Sequence, residues 1–178
     1  LDVHENTIGR IAAGNRKDIR NAVEAAVGAQ GWGKVTAHQR AQILYFIAEN
    51  LSYRQSEFCE KLCEWTGSDP EHATAEFEKT IQRWFTYAAW ADKYDGAVHQ
   101  PPLRGVTLAM NEPIGIMGIA CPDVSPLLSF TSLLAPAIAM GNRVVINPSN
   151  KYPLIATDFY QILETSDVPA GVVNIVTG

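Results

Sequence analysis

The sequence predicts an α/β fold, a helical front followed by part of a doubly wound parallel sheet. Three observations carry this. Up to about Gly96 apolar residues recur at helical spacing. From Ile114 onward β-branched runs alternate with helix-length segments. A breaker-rich stretch, Gln100-Pro101-Pro102 and Arg104-Gly105, separates the two patterns.

From Lys17 to Gln30 the residues Ile19, Ala22, Val23, Ala26 and Val27 form one apolar stripe, which predicts a surface helix laid on a core. Gly31-Trp32-Gly33 reads as a turn. Thr36 with Gln39 three residues later forms a capping-box pattern opening a second helix, whose apolar face is Ile43, Phe46, Ile47 and Leu51. Phe58, Leu62 and Trp65 mark a third helix, with Gly67 as its stop. Asp69 as N-cap and Pro70 at the first helical position start a fourth, continued by Ala73, Phe77, Ile81, Trp84, Phe85 and Ala88. Aromatics at this spacing, Trp90 included, point to core packing rather than a ligand box.

After the link, Val106 to Met110 alternates as a short strand. Strands are then predicted at Ile114 to Ala120, Arg143 to Ile146 and Val172 to Val176, with helices at Pro126 to Met140 and Pro153 to Thr165. Continuous apolar runs are expected of parallel strands covered on both faces. The chain thus divides into a helical front (1–96), a link with a short strand (97–112) and a βαβαβ unit (113–178).

Composition narrows the function classes. The 178 residues are 47% apolar and 19% charged, as for a folded protein. A net charge of −5 repels polyanions and leaves no footprint for nucleic acid or anionic membrane. The longest apolar stretch, Ser125 to Ala139, is too short for a bilayer and contains Ser, Thr and Pro. Leu1 to Arg10 shows no basic-then-apolar organisation, so no signal peptide is expected, and the cytosol is the default. None of the three cysteines forms a C-x-x-C pair, and reduced thiols follow. Cys59 and Cys63 share a helix, but a metal would need further ligands, so a buried helix face is expected there.

Open parallel sheets bind ligands outside the carboxyl ends of their strands, which singles out the loops Cys121 to Ser125 and Asn147 to Tyr152. Neither is a G-x-G-x-x-G loop. Gly115 and Gly118 lie inside the predicted first strand, and no third glycine opens the helix, so the dinucleotide fingerprint is not met.

Several motifs nevertheless keep a common order: Asn111-Glu112-Pro113-Ile114-Gly115-Ile116-Met117-Gly118, Leu134-Ala135-Pro136-Ala137, Met140-Gly141-Asn142, Val144-Val145-Ile146-Asn147-Pro148 and Pro169-Ala170-Gly171-Val172-Val173-Asn174. Together with Ile8-Gly9-Arg10 and Tyr87-Ala88-Ala89-Trp90-Ala91-Asp92, they resemble the aldehyde dehydrogenase superfamily over nearly the whole chain. The resemblance implies a Rossmann-like sheet and a partial NAD(P)-binding domain over 1–178. Its reaction is NAD(P)-dependent oxidation of aldehydes to carboxylic acids. It places the nucleophilic cysteine and general-base glutamate beyond Gly178, so the catalytic domain is absent. By resemblance the cofactor-binding positions are Ala120, Cys121, Pro122, Asp123, Asn147, Ser149 and Asn150. Cys121, with no His nearby in sequence, reads as a wall residue rather than a nucleophile.

Departures from the family pattern fall on those positions. Where the family has Pro-Trp-Asn-Phe-Pro, this chain has Pro122-Asp123-Val124-Ser125-Pro126, so Val124 stands at the oxyanion asparagine. Loss of one such donor costs about two to three orders of magnitude in rate. A rescue would need Ser125 or a backbone amide to donate instead. Where the family has Lys-Pro-x-Glu to hold the adenosine ribose, this chain has Asn147-Pro148-Ser149-Asn150, with shorter reach and no charge.

The paired loss resembles the degenerate second unit of the two-unit, family sixteen, aldehyde dehydrogenases. It implies a non-catalytic scaffold or partner-binding unit, engaging a protein partner or a dehydrogenase-type homo-oligomer. The alternative is the cofactor-binding half of an active enzyme, with a small aldehyde as substrate and NAD or NADP as cofactor.

Overall fold

The computed structural model describes residues 8–178. The expectation of no signal peptide therefore falls mostly outside the described residues. Four helices come first: α1 (Arg16–Gly28), α2 (Ala37–Ser52), α3 (Gln55–Thr66) and α4 (Pro70–Ala91). A hairpin of β1 (Ala97–His99) and β2 (Thr107–Ala109) follows. The chain then winds through β3 (Ile116–Ala120), α5 (Pro126–Ala139), β4 (Arg143–Asn147), α6 (Leu154–Thr165) and β5 (Val173–Ile175). The three strands after the hairpin form one parallel sheet in the order β3-β4-β5.

Local chemistry sets the helix ends. Asp69 accepts from the His72 amide, and Pro70 opens α4, as its sequence requires. Gly67 ends α3 at φ 72°, a left-handed conformation glycine adopts without a Cβ penalty. Thr36 accepts from the Gln39 amide. The reciprocal capping box, however, forms at Asn15 and Asp18 instead, where each side chain accepts the other's backbone amide.

The core lies where α2, α4, α5 and α6 meet. Phe159 of α6 is its hub. It stacks on Trp84 at 5.7 Å and 11°, and meets Phe130 (5.5 Å) and Phe58 (6.5 Å) edge-on. The indole Nε1 of Trp32 donates to Ile138 O (3.0 Å), and Arg40 Nε donates to Ala139 O (2.9 Å). The Arg40 bond engages a last-turn carbonyl of α5, and Ile138 O accepts from Gly141 N (3.0 Å) as well as from Trp32. On the surface, Lys61 of α3 bridges Glu57 and Asp158 of α6.

Motifs that read as words in the sequence turn out to be joints. Asn142 is buried; its Oδ1 accepts from Gly115 N (3.0 Å) and its Nδ2 donates to Ala137 O (3.2 Å), tying β3 to the end of α5. Gly171 has φ 82°, and a Cβ there would lie 2.5 Å from Ala25 O, so only glycine allows β5 this approach to α1.

The structure corrects several expectations. On α1 only Ala26 is buried, while Ile19, Val23 and Val27 are exposed, so the stripe does not lie on a core. Helix α1 lies against β3, β4 and β5, with Ala26 buried and Ala22 half-buried, while Ile19, Val23 and Val27 remain exposed. The strands are not covered on both faces either: Val144 and Ile146 are buried, but Gly118 and Ala120 of β3 are exposed and β3 has one neighbouring strand. Gly31-Trp32-Gly33, read as a turn, lies in a short 3-10 helix, Gln30–Lys34, that buries Trp32. Gly115 precedes β3 instead of lying within it. In α4, Phe77 and Trp84 are core, whereas Phe85 is partly exposed and Trp90 is 56% exposed. Cys59 and Cys63 are half-buried at the edge of the core rather than on a fully buried face.

The single strand expected in the link is half of an antiparallel hairpin, with Ala97 paired to Ala109. It exposes Val98, Leu108 and Met110. No described helix is long and apolar enough to cross a membrane, and the described residues hold no cluster of three metal-ligand side chains.

Candidate functional site

Parallel register brings the two candidate loops side by side. Ile116 pairs with Arg143 and Ala120 with Asn147, so β3 and β4 end level. The Cys121 amide extends the ladder by donating to Asn147 O (2.9 Å). Ala120 and Pro122 are exposed at the rim. Cys121 is half-buried, and desolvation pushes its thiol up to about 11. Only the thiolate is nucleophilic, so its thiolate fraction at pH 7 is on the order of 100-fold below that of an ordinary thiol. We expect Cys121 to be alkylated by iodoacetamide at least tenfold more slowly than a model cysteine peptide, as read by mass spectrometry. Labelling at the peptide's rate would contradict the wall role.

The remaining site residues are drawn together and bonded to one another. Asp123 Oδ1 accepts from Ser149 Oγ (2.6 Å) and from the Lys151 amide (3.1 Å). Ser149 Oγ accepts in turn from the Tyr152 amide (3.0 Å). Ser149 is 2% exposed. These bonds, the Ser149 hydroxyl foremost, hold the Asp123 carboxyl below its ordinary range. Asn147 turns inward: its Nδ2 donates to Val176 O and Gly178 O, both at 2.9 Å. Asn150 is exposed. The side-chain donor at the family's lysine position is therefore spent on carbonyls just beyond β5, and the residue at the glutamate position carries no charge. This arrangement does not fit a grip on ribose hydroxyls.

At the start of α5 the geometry is equally closed. Val124 is 73% exposed and offers no donor. Ser125 adopts φ 44° and its side chain does not cap the helix. A residue from another helix does so instead: Glu76 of α4 accepts from Leu127 N (2.9 Å) and Leu128 N (3.2 Å) through one oxygen. Burial pushes the Glu76 carboxyl up, against the opposing pull of those two amides. Two of the backbone amides at the start of α5, those of Leu127 and Leu128, are thus already occupied. Beside them lies a cavity of about 410 Å³ lined by His72, Glu76, Lys79, Val124, Ser125 and Tyr152.

Sequence reasoning missed Glu76, because its partners are 51 and 52 residues away and nothing local distinguishes it from the solvent-facing acids of α4. The roles of the Lys151 and Tyr152 amides were equally invisible, since backbone donors leave no mark on side-chain identity.

An open parallel sheet with its free loops at the carboxyl ends of adjacent strands belongs to the nucleotide-binding α/β class. The aldehyde dehydrogenase family matches residues 2–178, and the chain belongs to that family. It is 34% identical over 176 residues to aldehyde dehydrogenase family 2 member B4, mitochondrial, of Arabidopsis thaliana, covering 96% of this chain and 32% of that protein. Its fold is similar to betaine aldehyde dehydrogenase from Staphylococcus aureus in complex with NAD+ (TM-score 0.94, 26% identity, 98% of this chain and 35% of that one). It is also similar to a glyceraldehyde-3-phosphate dehydrogenase from Methanocaldococcus jannaschii complexed with NADP (TM-score 0.92, 29% identity, 97% and 39%). The chain spans about a third of the length of these relatives.

Proposed function

We propose that this segment belongs to a degenerate unit of an aldehyde-dehydrogenase-type protein, one that keeps the family fold but serves as a scaffold or protein-binding element. The observation that carries the reading is the inward turn of Asn147, whose side-chain amide is bonded to Val176 O and Gly178 O. Val124, without a donor, and the occupation of the Leu127 and Leu128 amides by Glu76 support the same reading at the oxyanion position. The exposed apolar hairpin supports a protein partner or a homo-oligomer as what the unit engages. The three unbridged cysteines support a reducing compartment, the cytosol.

Calorimetric titration of NAD and NADP into the full-length protein tests this. We expect no binding up to millimolar cofactor, and measurable binding once Asn147→Lys and Asn150→Glu restore the ribose anchors. Micromolar binding by the unsubstituted protein would instead favour the cofactor-binding half of an active NAD(P)-dependent aldehyde oxidiser, to be followed by an aldehyde assay.

A further inference from the structure

We infer that Asp123 is an internal latch, closing the mouth of the cleft by taking the donors of the opposite loop. The inference rests on the reading of the cleft as one that no longer grips a dinucleotide, and it adds what holds that cleft shut.

Three features of the geometry lead to it. First, the carboxylate crosses between loops: Asp123 leaves the end of β3, and the groups it binds, Ser149 Oγ and Lys151 N, lie after β4. These are the two loops between which a ligand of an open parallel sheet is held. Second, the chain of bonds is continuous. Ser149 has a single hydroxyl proton; it gives it to Asp123 and uses its oxygen to accept from Tyr152 N, so one carboxylate organises the whole turn from Ser149 to Tyr152. Ser149 is buried and Asp123 is exposed, so the latch is set from the solvent side of a fixed partner. Third, the latch shapes its own loop. With Asp123 drawn across, Val124 points to solvent with its carbonyl held by Ser129 Oγ (2.6 Å), and Ser125 takes its left-handed conformation before entering α5.

Two physical consequences follow for a dinucleotide. The Ser149 hydroxyl and the Lys151 amide, donors of the second loop, are already engaged. A fixed carboxylate at the mouth also repels the ligand's diphosphate, with Lys151 the one cation among its bonded neighbours, and that side chain lies over the Tyr152 ring (5.0 Å). The tryptophan that the family pattern has at this position cannot accept hydrogen bonds, so the latch is available to this chain through its aspartate. Asp123 acts here as a positioning residue.

The test uses the full-length protein carrying Asp123→Ala or Asp123→Asn, alone and together with Asn147→Lys and Asn150→Glu. Hydrogen exchange at the Lys151 and Tyr152 amides and calorimetric titration of NAD are read in each. Asp123→Ala leaves the buried Ser149 hydroxyl without its acceptor and is expected to lower the unfolding temperature, so exchange is read well below it. Asp123→Asn keeps an acceptor oxygen and is expected to unfold close to the unsubstituted temperature. Asp123→Ala should raise exchange at both amides at least tenfold, and should tighten NAD binding at least tenfold in the anchored background. Asp123→Asn keeps an acceptor oxygen but loses the charge, so it should retain most of the protection while still tightening binding. In Asp123→Ala, exchange within twofold of the unsubstituted protein, or unchanged affinity in the anchored background, would overturn the latch. If the anchored protein binds no NAD, the exchange result decides alone. Micromolar NAD binding by the unsubstituted protein would overturn the reading of the cleft and would be seen independently of the exchange measurement.

Discussion

Replacing Trp84 with alanine is expected to destabilise the fold by about 3–5 kcal/mol, the range for emptying a large aromatic site in a core. Trp84 is fully buried, and its ring lies 5.7 Å from Phe159 at an interplanar angle of 11°. Phe159 also holds Phe130 and Phe58, so the vacancy opens at the junction of α3, α4, α5 and α6. Domains of this kind are stable by only about 5–15 kcal/mol, so the loss removes a large share. Trp84→Phe is the informative companion. The indole Nε1 is buried with no hydrogen-bond partner among the described residues, so phenylalanine deletes an unsatisfied donor while keeping most of the packed volume. We expect it to cost less than about 1.5 kcal/mol. Urea unfolding of both variants decides the matter; similar midpoints for the two would mean that the aromatic hub does not organise the core.

Glu76 carries the second large effect. Glu76→Ala strips the acceptor from Leu127 N and Leu128 N, and leaving such groups unpaired costs about 1–3 kcal/mol. Glu76→Gln keeps an acceptor oxygen and isolates the charge. Burial raises the folded-state pKa of Glu76 above its ordinary 4.5, so the folded protein binds more protons than the unfolded chain in that window. The associated stability is fully present below the unfolded pKa and is lost as pH rises through the folded pKa. Glu57, held down to about 2 chiefly by Arg54 and then Lys61, behaves in the opposite sense. Its contribution is present above about 4.5 and is lost as pH falls towards about 2. Unfolding midpoints measured from acid to neutral pH should therefore show Glu76→Gln gaining on the unsubstituted protein as pH rises above 4.5. A constant difference between the two across that range would rule out the proposed role of burial at Glu76.

Much of the fold was legible because its signals are local. Gly67 and Asp69-Pro70 bound their helices through the conformations those residues prefer, and the alternation of strand and helix after Ile114 specified the βαβαβ unit. The α1 stripe misled for a reason equally local in origin. Helical periodicity shows that a face is apolar but not what it meets, and here Ile19, Val23 and Val27 face outward. The candidate site divides the same way. Its loops could be placed from strand order, and the loss of charge at Asn147 and Asn150 could be read from residue type. The direction of the Asn147 amide could not, because it depends on carbonyls 29 and 31 residues away.

The sequence by itself determined the helices with their caps, the order of the sheet elements and the chemical groups present at the two loops, since each follows from the preferences of residues within a few positions. Tertiary structure alone decided which of those groups are already taken. Glu76 reaches the start of α5, Asn147 binds carbonyls just beyond β5, and Asp123 crosses to Ser149. In each case a hydrogen bond joins residues distant in sequence, and its formation depends on packing that no local pattern records.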